Sequence, residues 1–188
     1  MPAAPHVLSI LRELSVLHAP EGKPFILKSG KESMTYVDVR LTALNAHGLH
    51  LLSDALHRET FRVADGARLV AGVALGGCPL ATGVSLLSYR LDEANPFNAL
   101  YVRPEAKDHG TGKLVEGSFK PGDSVVLVED VTTSGGSSLK AMASLREAGL
   151  VVKAVVTVLD REEGGGDKIR AEGVPFSALC TLGELLAA

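Results

Sequence analysis

The residues best suited to chemistry lie between positions 125 and 138, where the chain reads Val-Val-Leu-Val-Glu-Asp-Val-Thr-Thr-Ser-Gly-Gly-Ser-Ser. The apolar run predicts a buried strand that ends at Glu129 and Asp130, followed by a small-residue turn and a helix. In open α/β sheets, ligands bind beyond the carboxyl ends of the strands. A helix amino terminus there offers free N–H groups to a phosphate. The stretch therefore predicts a phosphate site beside two carboxylates.

The two acids suit another part of the same ligand. Carboxylates repel a phosphate, but they accept hydrogen bonds from ribose hydroxyls and reach a Mg²⁺ ion through water. The structural alternative is an ordinary strand–turn–helix connection in which Asp-Val-Thr-Thr caps the helix. The stretch lacks the Gly-Lys-Ser ending of a nucleotide P-loop and the three-glycine dinucleotide fingerprint.

Basic side chains crowd a second segment, residues 103–117. It contains Arg103, Lys107 and Lys113, together with His109, and glycines punctuate it. This composition indicates a flexible lid, and the alternative is a solvated loop.

Two shorter segments add candidates. Residues 25–30 include Lys28 and precede Tyr36 and an Asp-Val-Arg sequence, and Arg161 follows the apolar run that ends at Leu159. The structural alternatives are a surface lysine at a turn for Lys28 and a loop salt bridge for Arg161.

Together the four segments resemble the orotate phosphoribosyltransferases. Residues 125–138 are similar to the motif with which type I phosphoribosyltransferases bind 5-phosphoribosyl-1-pyrophosphate (PRPP). Residues 103–117 resemble the catalytic loop of the orotate enzymes, residues 25–40 resemble the segment that covers the base, and residues 159–162 resemble the segment whose arginine contacts the pyrimidine. The four follow one another in the right order, from about residue 25 to residue 162.

The resemblance implies transfer of ribose-5-phosphate from PRPP to orotate, which yields orotidine 5′-monophosphate and pyrophosphate in de novo pyrimidine biosynthesis. It implies Mg²⁺ as cofactor, held by PRPP and through water by Glu129 or Asp130, with no direct protein ligand. The implied catalytic residues are Lys107, His109, Arg103 and Asp130. The implied PRPP-binding residues are Arg103, Lys107, His109, Glu129, Asp130, Val131, Thr132, Thr133, Ser134, Gly135, Gly136 and Ser137. The implied orotate-binding residues are Lys28, Tyr36, Thr133 and Arg161.

The resemblance also implies a homodimer in which loop 103–117 completes the neighbour's site. Two departures affect the diphosphate end of that site. Some members carry a second basic residue where this chain has Pro104, and some carry a lysine in the pyrophosphate loop, where residues 74–77 have none. Arg103, Lys107 and His109 are then expected to hold more of the leaving-group charge, with Lys113 as a further candidate.

Alternating apolar runs and helical patterns predict an α/β fold with a central parallel sheet flanked by helices. With 188 residues, of which 46% are hydrophobic, a single domain (1–188) is expected. The family adds a small N-terminal hood, from residues 1–40 plus the C-terminal segment. The three successive glycines at positions 164–166 predict a mobile loop over residues 162–167. The predicted helices are 7–17, 46–59, 80–91 and 137–148, and the predicted strands are 25–27, 34–39, 69–74, 99–102, 124–129 and 153–159.

Bulk composition narrows the partners and the location. A formal net charge of −3 and a pI near 6.1 argue against nucleic-acid binding, which needs clustered basic residues. Residues 69–89 carry no charge and could span a bilayer by length, but Gly76-Gly77-Cys78-Pro79 would break a lipid-exposed helix. No membrane association is therefore expected. Two widely separated cysteines and a start without a basic leader favour the cytoplasm.

Two rival functions remain. One is another type I phosphoribosyltransferase that uses a purine or a different pyrimidine. Lys107 through Gly110 and the Leu-Lys-Ser-Gly sequence of residues 27–30 argue against it. The other is a PRPP-sensing regulator that binds nucleic acid without turnover. It would need a basic face or an added DNA-binding domain, neither of which the composition indicates.

Overall fold

The computed structural model describes residues 5–26, 32–105 and 113–187. Its helices are α1 (Pro5–Leu14), α2 (Val39–Ala43), α3 (Ala46–Val63), α4 (Gly77–Leu91), α5 (Gly136–Glu147), α6 (Gly165–Ala171) and α7 (Leu182–Leu186). Its strands are β1 (Val16–His18), β2 (Phe25–Ile26), β3 (Glu32–Ser33), β4 (Thr35–Val37), β5 (Leu69–Val73), β6 (Asn98–Val102), β7 (Val115–Glu116), β8 (Ser124–Thr132), β9 (Val151–Asp160) and β10 (Phe176–Thr181).

A six-stranded sheet forms the centre of the protein, in the order β10-β9-β8-β5-β6-β7. All neighbouring strands are parallel except β7, which runs antiparallel to β6. Successive residues of a strand point to opposite faces. Val126 and Val128 therefore enter one buried cluster, while Val125 and Leu127 enter the other. The predicted parallel sheet, buried on both faces, is confirmed.

Helices cover both faces of the sheet. The cluster around Val126 and Val128 includes side chains of α1, α3 and α4, such as Leu56 and Leu80. The opposite cluster includes side chains of α5 and α6, such as Met142. This three-layer arrangement leaves the ends of the strands as the open edges of the sheet, where ligands bind in such folds.

The N-terminal part adds two small antiparallel pairs, β1 with β4 and β2 with β3. The guanidinium of Arg12 on α1 donates to the backbone carbonyls of Leu185 (2.8 Å), Glu184 (2.9 Å) and Ala187 (2.6 Å). These bonds tie the first helix to the C-terminal segment.

Most predicted elements are confirmed, with boundaries that shift by a few residues. Strands 69–74, 99–102, 124–129 and 153–159 correspond to β5, β6, β8 and β9, and helices 80–91 and 137–148 to α4 and α5. The side chain of Asn45 caps α3 by accepting from the N–H of Gly48 at 3.0 Å. The helix is four residues longer than the predicted range.

Three local predictions are wrong in part. The first helix ends at Leu14, because Leu17 pairs with Tyr36 in the β1–β4 ladder and its periodic position does not extend the helix. The strand predicted over 34–39 stops at Val37, because Asp38 caps α2 by accepting from the N–H of Arg40. The predicted loop 162–167 contains the start of α6 at Gly165.

No helix within the described ranges is long and apolar enough to cross a bilayer. The uncharged stretch 69–89 divides into β5, a turn and α4, as predicted. Both cysteines are free thiols. Cys180 is buried, and burial raises its pKa to about 12, so it is a poor nucleophile.

Candidate active site

The strands that precede three of the predicted site segments end at one edge of the sheet. Parallel strands place their carboxyl ends together, and here β5, β6, β8 and β9 end at Val73, Val102, Thr132 and Asp160. The chain leaves β5 through α4 toward β6, and it leaves β8 through α5 toward β9 on the other side. The neighbours β5 and β8 therefore form a topological switch point, where open α/β sheets bind ligands.

The turn after β8 leads into an uncapped helix amino terminus. Gly135 has a φ of +78°, a left-handed conformation that favours glycine. It precedes α5, whose first turn has no side-chain cap. The first N–H groups of a helix have no intrahelical partner, so the start of α5 offers donors to a phosphate.

Helix α6 supports this turn from beneath. The N–H of Gly165 donates to the carbonyl of Thr133 at 3.0 Å, and the ammonium of Lys168 donates to the carbonyl of Ser134 at 3.2 Å. A side chain at Gly165 would lie 2.7 Å from the backbone nitrogen of Gly135, so only glycine allows the approach. The turn is thereby held by a second element, and Lys168 adds a positive charge beside it.

Glu129 is directed toward the first turn of α5. Its carboxylate accepts from the hydroxyl of Ser137 at 2.5 Å and from the hydroxyl of Ser138. Only 4% of the residue is exposed, and burial raises the pKa of Glu129. The two serine hydroxyls lower this pKa, and the charge of Asp130 raises it further. This acid therefore joins β8 to the helix that offers the N–H groups.

Asp130 lies on the opposite face of β8, against the turn between β5 and α4. A Cβ atom added to Gly76 would overlap the Asp130 carboxylate and lie 2.7 Å from its Oδ1. Burial raises the pKa of Asp130, while the N–H groups of Val131 and Asp130 and the charge of Arg40 favour its ionised form. The peptide between Ala74 and Leu75 in the same turn is cis. Asp130 and the glycine turn thus share the crevice between β5 and β8.

The start of α2 lies near Asp130, since the charge of Arg40 acts on that carboxylate. The Arg40 guanidinium forms a bidentate pair with Asp38, with Nε to Oδ1 and Nη2 to Oδ2 both at 2.8 Å. Tyr36 lies nearby on β4, and its ring packs against that of Phe25 with centroids 5.6 Å apart. The N-terminal part therefore places a fixed guanidinium near Asp130.

Arg161 begins the segment after β9. Its N–H donates to the carbonyl of Thr132 at 2.9 Å, which holds it next to the β8 turn. Its guanidinium pairs with Glu163, with Nε and Oε1 3.0 Å apart, and 18% of the side chain is exposed. The backbone of Arg161 is therefore held next to the turn after β8.

Arg103 stands where the basic segment leaves the sheet. Its N–H donates to the carbonyl of Leu114 at 2.8 Å, and its guanidinium lies 3.6 Å from Glu116. Its Nε is buried and has no hydrogen-bond partner among the described residues. Predicted residues Lys28, Lys107 and His109 lie outside the described residues.

The sequence did not single out several contributors to this edge. Gly165 and Lys168 support the turn after β8, but three successive glycines favoured the prediction of a loop there. The pairing of Arg40 with Asp38 follows from the Asp-x-Arg spacing at the start of a helix, which was the available signal. Ser138 was omitted, although its position after Ser137 places it in the first turn of α5.

Comparison with known proteins identifies the family. No family model matches the chain. An orotate phosphoribosyltransferase of Sorangium cellulosum is 46% identical over 177 residues, which cover 93% of this chain and 88% of that protein. The chain belongs to the orotate phosphoribosyltransferase family. Solved structures of the Mycobacterium tuberculosis H37Rv orotate phosphoribosyltransferase agree. The complex with Fe(III) dicitrate has a TM-score of 0.81 at 34% identity and covers 96% of this chain and 97% of that one.

A complex of the same mycobacterial enzyme with PRPP has a TM-score of 0.75 at 31% identity, with 96% of both chains covered. The type I phosphoribosyltransferase fold implied by the resemblance is thereby confirmed, with its mostly parallel sheet and flanking helices. The strand-end edge described above is therefore the candidate active site of this family member.

Proposed function

We propose that the protein transfers ribose-5-phosphate from PRPP to orotate and releases pyrophosphate, forming orotidine 5′-monophosphate for pyrimidine biosynthesis. The observation that carries the proposal is the position of the acid pair and the uncapped turn at the end of β8, beside the switch point, with the backbone of Arg161 bonded to the end of the same strand. The chain in which they meet is 46% identical to an orotate phosphoribosyltransferase.

PRPP would lie across the ends of β5 and β8. Backbone groups of residues 131–137 would hold the 5′-phosphate, because the start of α5 offers uncapped N–H groups and α6 fixes the turn. Asp130 would accept from the ribose hydroxyls, since it faces the crevice. Glu129 would share that role if its serine bonds exchange for ribose hydroxyls.

Orotate would bind between Arg161 and the N-terminal part. Orotate carries a carboxylate, and a guanidinium binds one in a bidentate geometry. Arg161 already binds a carboxylate, that of Glu163, through Nε, so its chemistry fits the ligand. Tyr36 would pack against the base, and Thr133 and Lys28 would complete its polar contacts.

Catalysis would act mainly on the departing pyrophosphate, because the ribose passes through an oxocarbenium-like state as the bond to pyrophosphate breaks. Lys107, His109 and Arg103 would place positive charge on that group and exclude water. The buried Nε of Arg103 is a donor that such a ligand would satisfy. In the proposed homodimer, residues 103–117 of one chain would close over the site of the other.

We propose that Mg²⁺ is held mostly by PRPP. Within the ranges that the structure describes, no cluster of three or more His, Cys, Asp or Glu side chains could hold a metal ion. Asp130 offers a crevice-facing carboxylate that could bind magnesium-bound water. The ion would neutralise charge on the leaving diphosphate.

The remaining parts of the proposal concern organisation and location. We infer a single domain in which the N-terminal segment and C-terminal segment form a hood, supported by the bonds from Arg12 to residues 184–187. The free thiols of Cys78 and Cys180 support a reducing location, the cytoplasm. The acidic net charge supports small-molecule ligands as the partners.

The decisive experiment follows the ultraviolet absorbance of orotate after addition of PRPP and Mg²⁺ to the purified protein. Adenine, hypoxanthine and uracil serve as parallel bases, and reactions without PRPP serve as blanks. We expect loss of orotate absorbance that depends on PRPP. Turnover of another base would instead indicate a different type I phosphoribosyltransferase, and PRPP binding without turnover would indicate a sensor.

A further inference from the structure

The turn that leads from β5 into α4 lies at the proposed diphosphate end of the crevice and carries no cation. Residues 74–77, which comprise this turn and the first residue of α4, are Ala, Leu, Gly and Gly. The turn borders the Asp130 carboxylate, which adds negative charge to the place where the diphosphate of PRPP would leave the ribose. A highly charged diphosphate beside a carboxylate requires compensating positive charge, since like charges repel.

Helix α2 brings a guanidinium to this place. Val128 and Asp130 are two residues apart on β8, so both point to the same face of the sheet. Val128 packs in the cluster that contains Val39, the first residue of α2. The next residue is Arg40, which is therefore carried to the Asp130 side of β8. Electrostatic interaction between Arg40 and Asp130, which favours the ionised carboxylate, agrees with this placement.

Arg40 is fixed in position and remains accessible. Asp38 binds its Nε and Nη2, while the backbone N–H of Asp38 donates to the carbonyl of Ser15 at 2.9 Å. The Nη1 group of Arg40 takes no part in this ion pair, and 49% of the Arg40 side chain is exposed. A guanidinium held by a carboxylate loses little freedom when an anion binds its remaining N–H groups, and guanidinium groups bind phosphate oxygens well.

We propose that Arg40 binds the diphosphate of PRPP and supplies the positive charge that the turn after β5 lacks. The proposal rests on the proposed function for the identity of the ligand. Arg40 then raises the affinity of the protein for PRPP and for pyrophosphate, and it contributes little to the affinity for orotate.

The chain contains a matched control. Arg62 on α3 forms the same kind of bidentate pair with Glu59, and its side chain is 53% exposed with a partner 14% exposed, against 49% and 17% for Arg40 and Asp38. Arg62→Ala removes an equivalent surface pair from a helix outside the strand-end site. Asp38→Asn provides a second comparison, because asparagine still caps a helix and leaves the Arg40 charge in place.

The test is calorimetric titration of the full-length protein with PRPP and with pyrophosphate, each in the presence of Mg²⁺, together with the Michaelis constants of both substrates. We expect Arg40→Ala to weaken binding of both phosphate ligands by about tenfold or more, the scale of one lost charge-assisted hydrogen bond. The Michaelis constant for orotate should change by less than about twofold, because a change that small corresponds to no lost contact between Arg40 and orotate. Asp38→Asn should weaken PRPP less than Arg40→Ala does, and Arg62→Ala should bind PRPP as the wild type does.

Equal losses for Arg40→Ala and Asp38→Asn would show that the pair acts only in holding α2, and would overturn the proposal. A selective rise in the orotate Michaelis constant would assign Arg40 to the orotate carboxylate and would also overturn it. If Arg40→Ala melts early, Arg40→Gln replaces it, because its amide still reaches Asp38. If the wild type binds PRPP but does not consume orotate, the proposed function fails, while the binding comparison still decides the role of Arg40.

Discussion

Replacing Gly76 with alanine would test whether Asp130 is positioned for catalysis. The added Cβ would overlap the carboxylate of Asp130 and lie 2.7 Å from Oδ1, whereas ordinary contacts need about 3.4 Å or more. The carboxylate must therefore move by about 1 Å, and a displacement of that size in an active site costs on the order of 10²-fold in rate. That loss corresponds to about 2.7 kcal/mol of transition-state stabilisation.

The assay is kcat/KM for orotate and PRPP, with a thermal melt of each variant. Gly83→Ala is the matched control. Gly83 lies within α4, the helix that follows Gly76, and its added Cβ would overlap the Ser53 hydroxyl on α3, away from the strand ends. We expect Gly83→Ala to lower the melting temperature and to keep kcat/KM. We expect Gly76→Ala to lower kcat/KM by about 10²-fold.

A double-mutant cycle with Asp130→Ala identifies the route of the effect. If Gly76→Ala acts by moving the carboxylate, it should cost little further rate once Asp130 is already alanine, so the two losses should not add. Fully additive losses, or a wild-type rate for Gly76→Ala alone, would refute the assignment of Asp130 to the ribose.

Three further predictions concern single side chains. Burial raises the pKa of Glu129 in the folded state, so its ionised form destabilises the fold above that pKa, and the destabilisation is relieved as the pH falls through it. Glu129→Gln should therefore melt about 2 °C or more above the wild type at pH 8, a gap that closes toward pH 4 in scanning calorimetry, and a lower melting point at pH 8 would contradict this reasoning. Arg161→Ala should raise the Michaelis constant for orotate by about tenfold or more while PRPP binding holds, and recovery by Arg161→Lys would argue against bidentate recognition. Lys107→Ala should lower turnover by about 10²-fold with an unchanged circular-dichroism spectrum, and a wild-type rate would remove Lys107 from the catalytic set.

The strands and the location of the site were predictable for a physical reason. Long apolar runs such as 125–128 can only be buried on both faces, so they indicate a parallel sheet, and parallel strands gather their carboxyl ends. Glu129, Thr132 and Arg161 follow such runs, so their meeting at one edge follows from the topology. The resemblance to the family then indicated which ligands this edge would bind.

The different directions of Glu129 and Asp130 were not predicted, although the signal was present. The predicted strand ended at Glu129, whereas β8 continues to Thr132 because it pairs with β9 as far as Asp160. Alternation along the longer strand sends the two acids to opposite faces. One meets the serines of α5, and the other faces the crevice.

The remaining misses depend on contacts between distant parts of the chain. Leu17 continues the helical periodicity of α1, but its pairing with Tyr36 makes it a strand residue. The glycines of 164–166 have low helix propensity, yet α6 forms where Gly165 donates to Thr133. Local patterns contain no information about such partners.

The support of the β8 turn by α6 has a thermodynamic consequence. Arg161 and Gly165 belong to one short segment, bonded at its two ends to the carbonyls of Thr132 and Thr133. A phosphate that steadies the turn therefore also steadies the guanidinium that would receive the base, so part of the ordering cost for the second ligand is met by the first. Linkage makes this coupling reciprocal. The factor by which bound PRPP raises the affinity for orotate equals the factor by which bound orotate raises the affinity for PRPP.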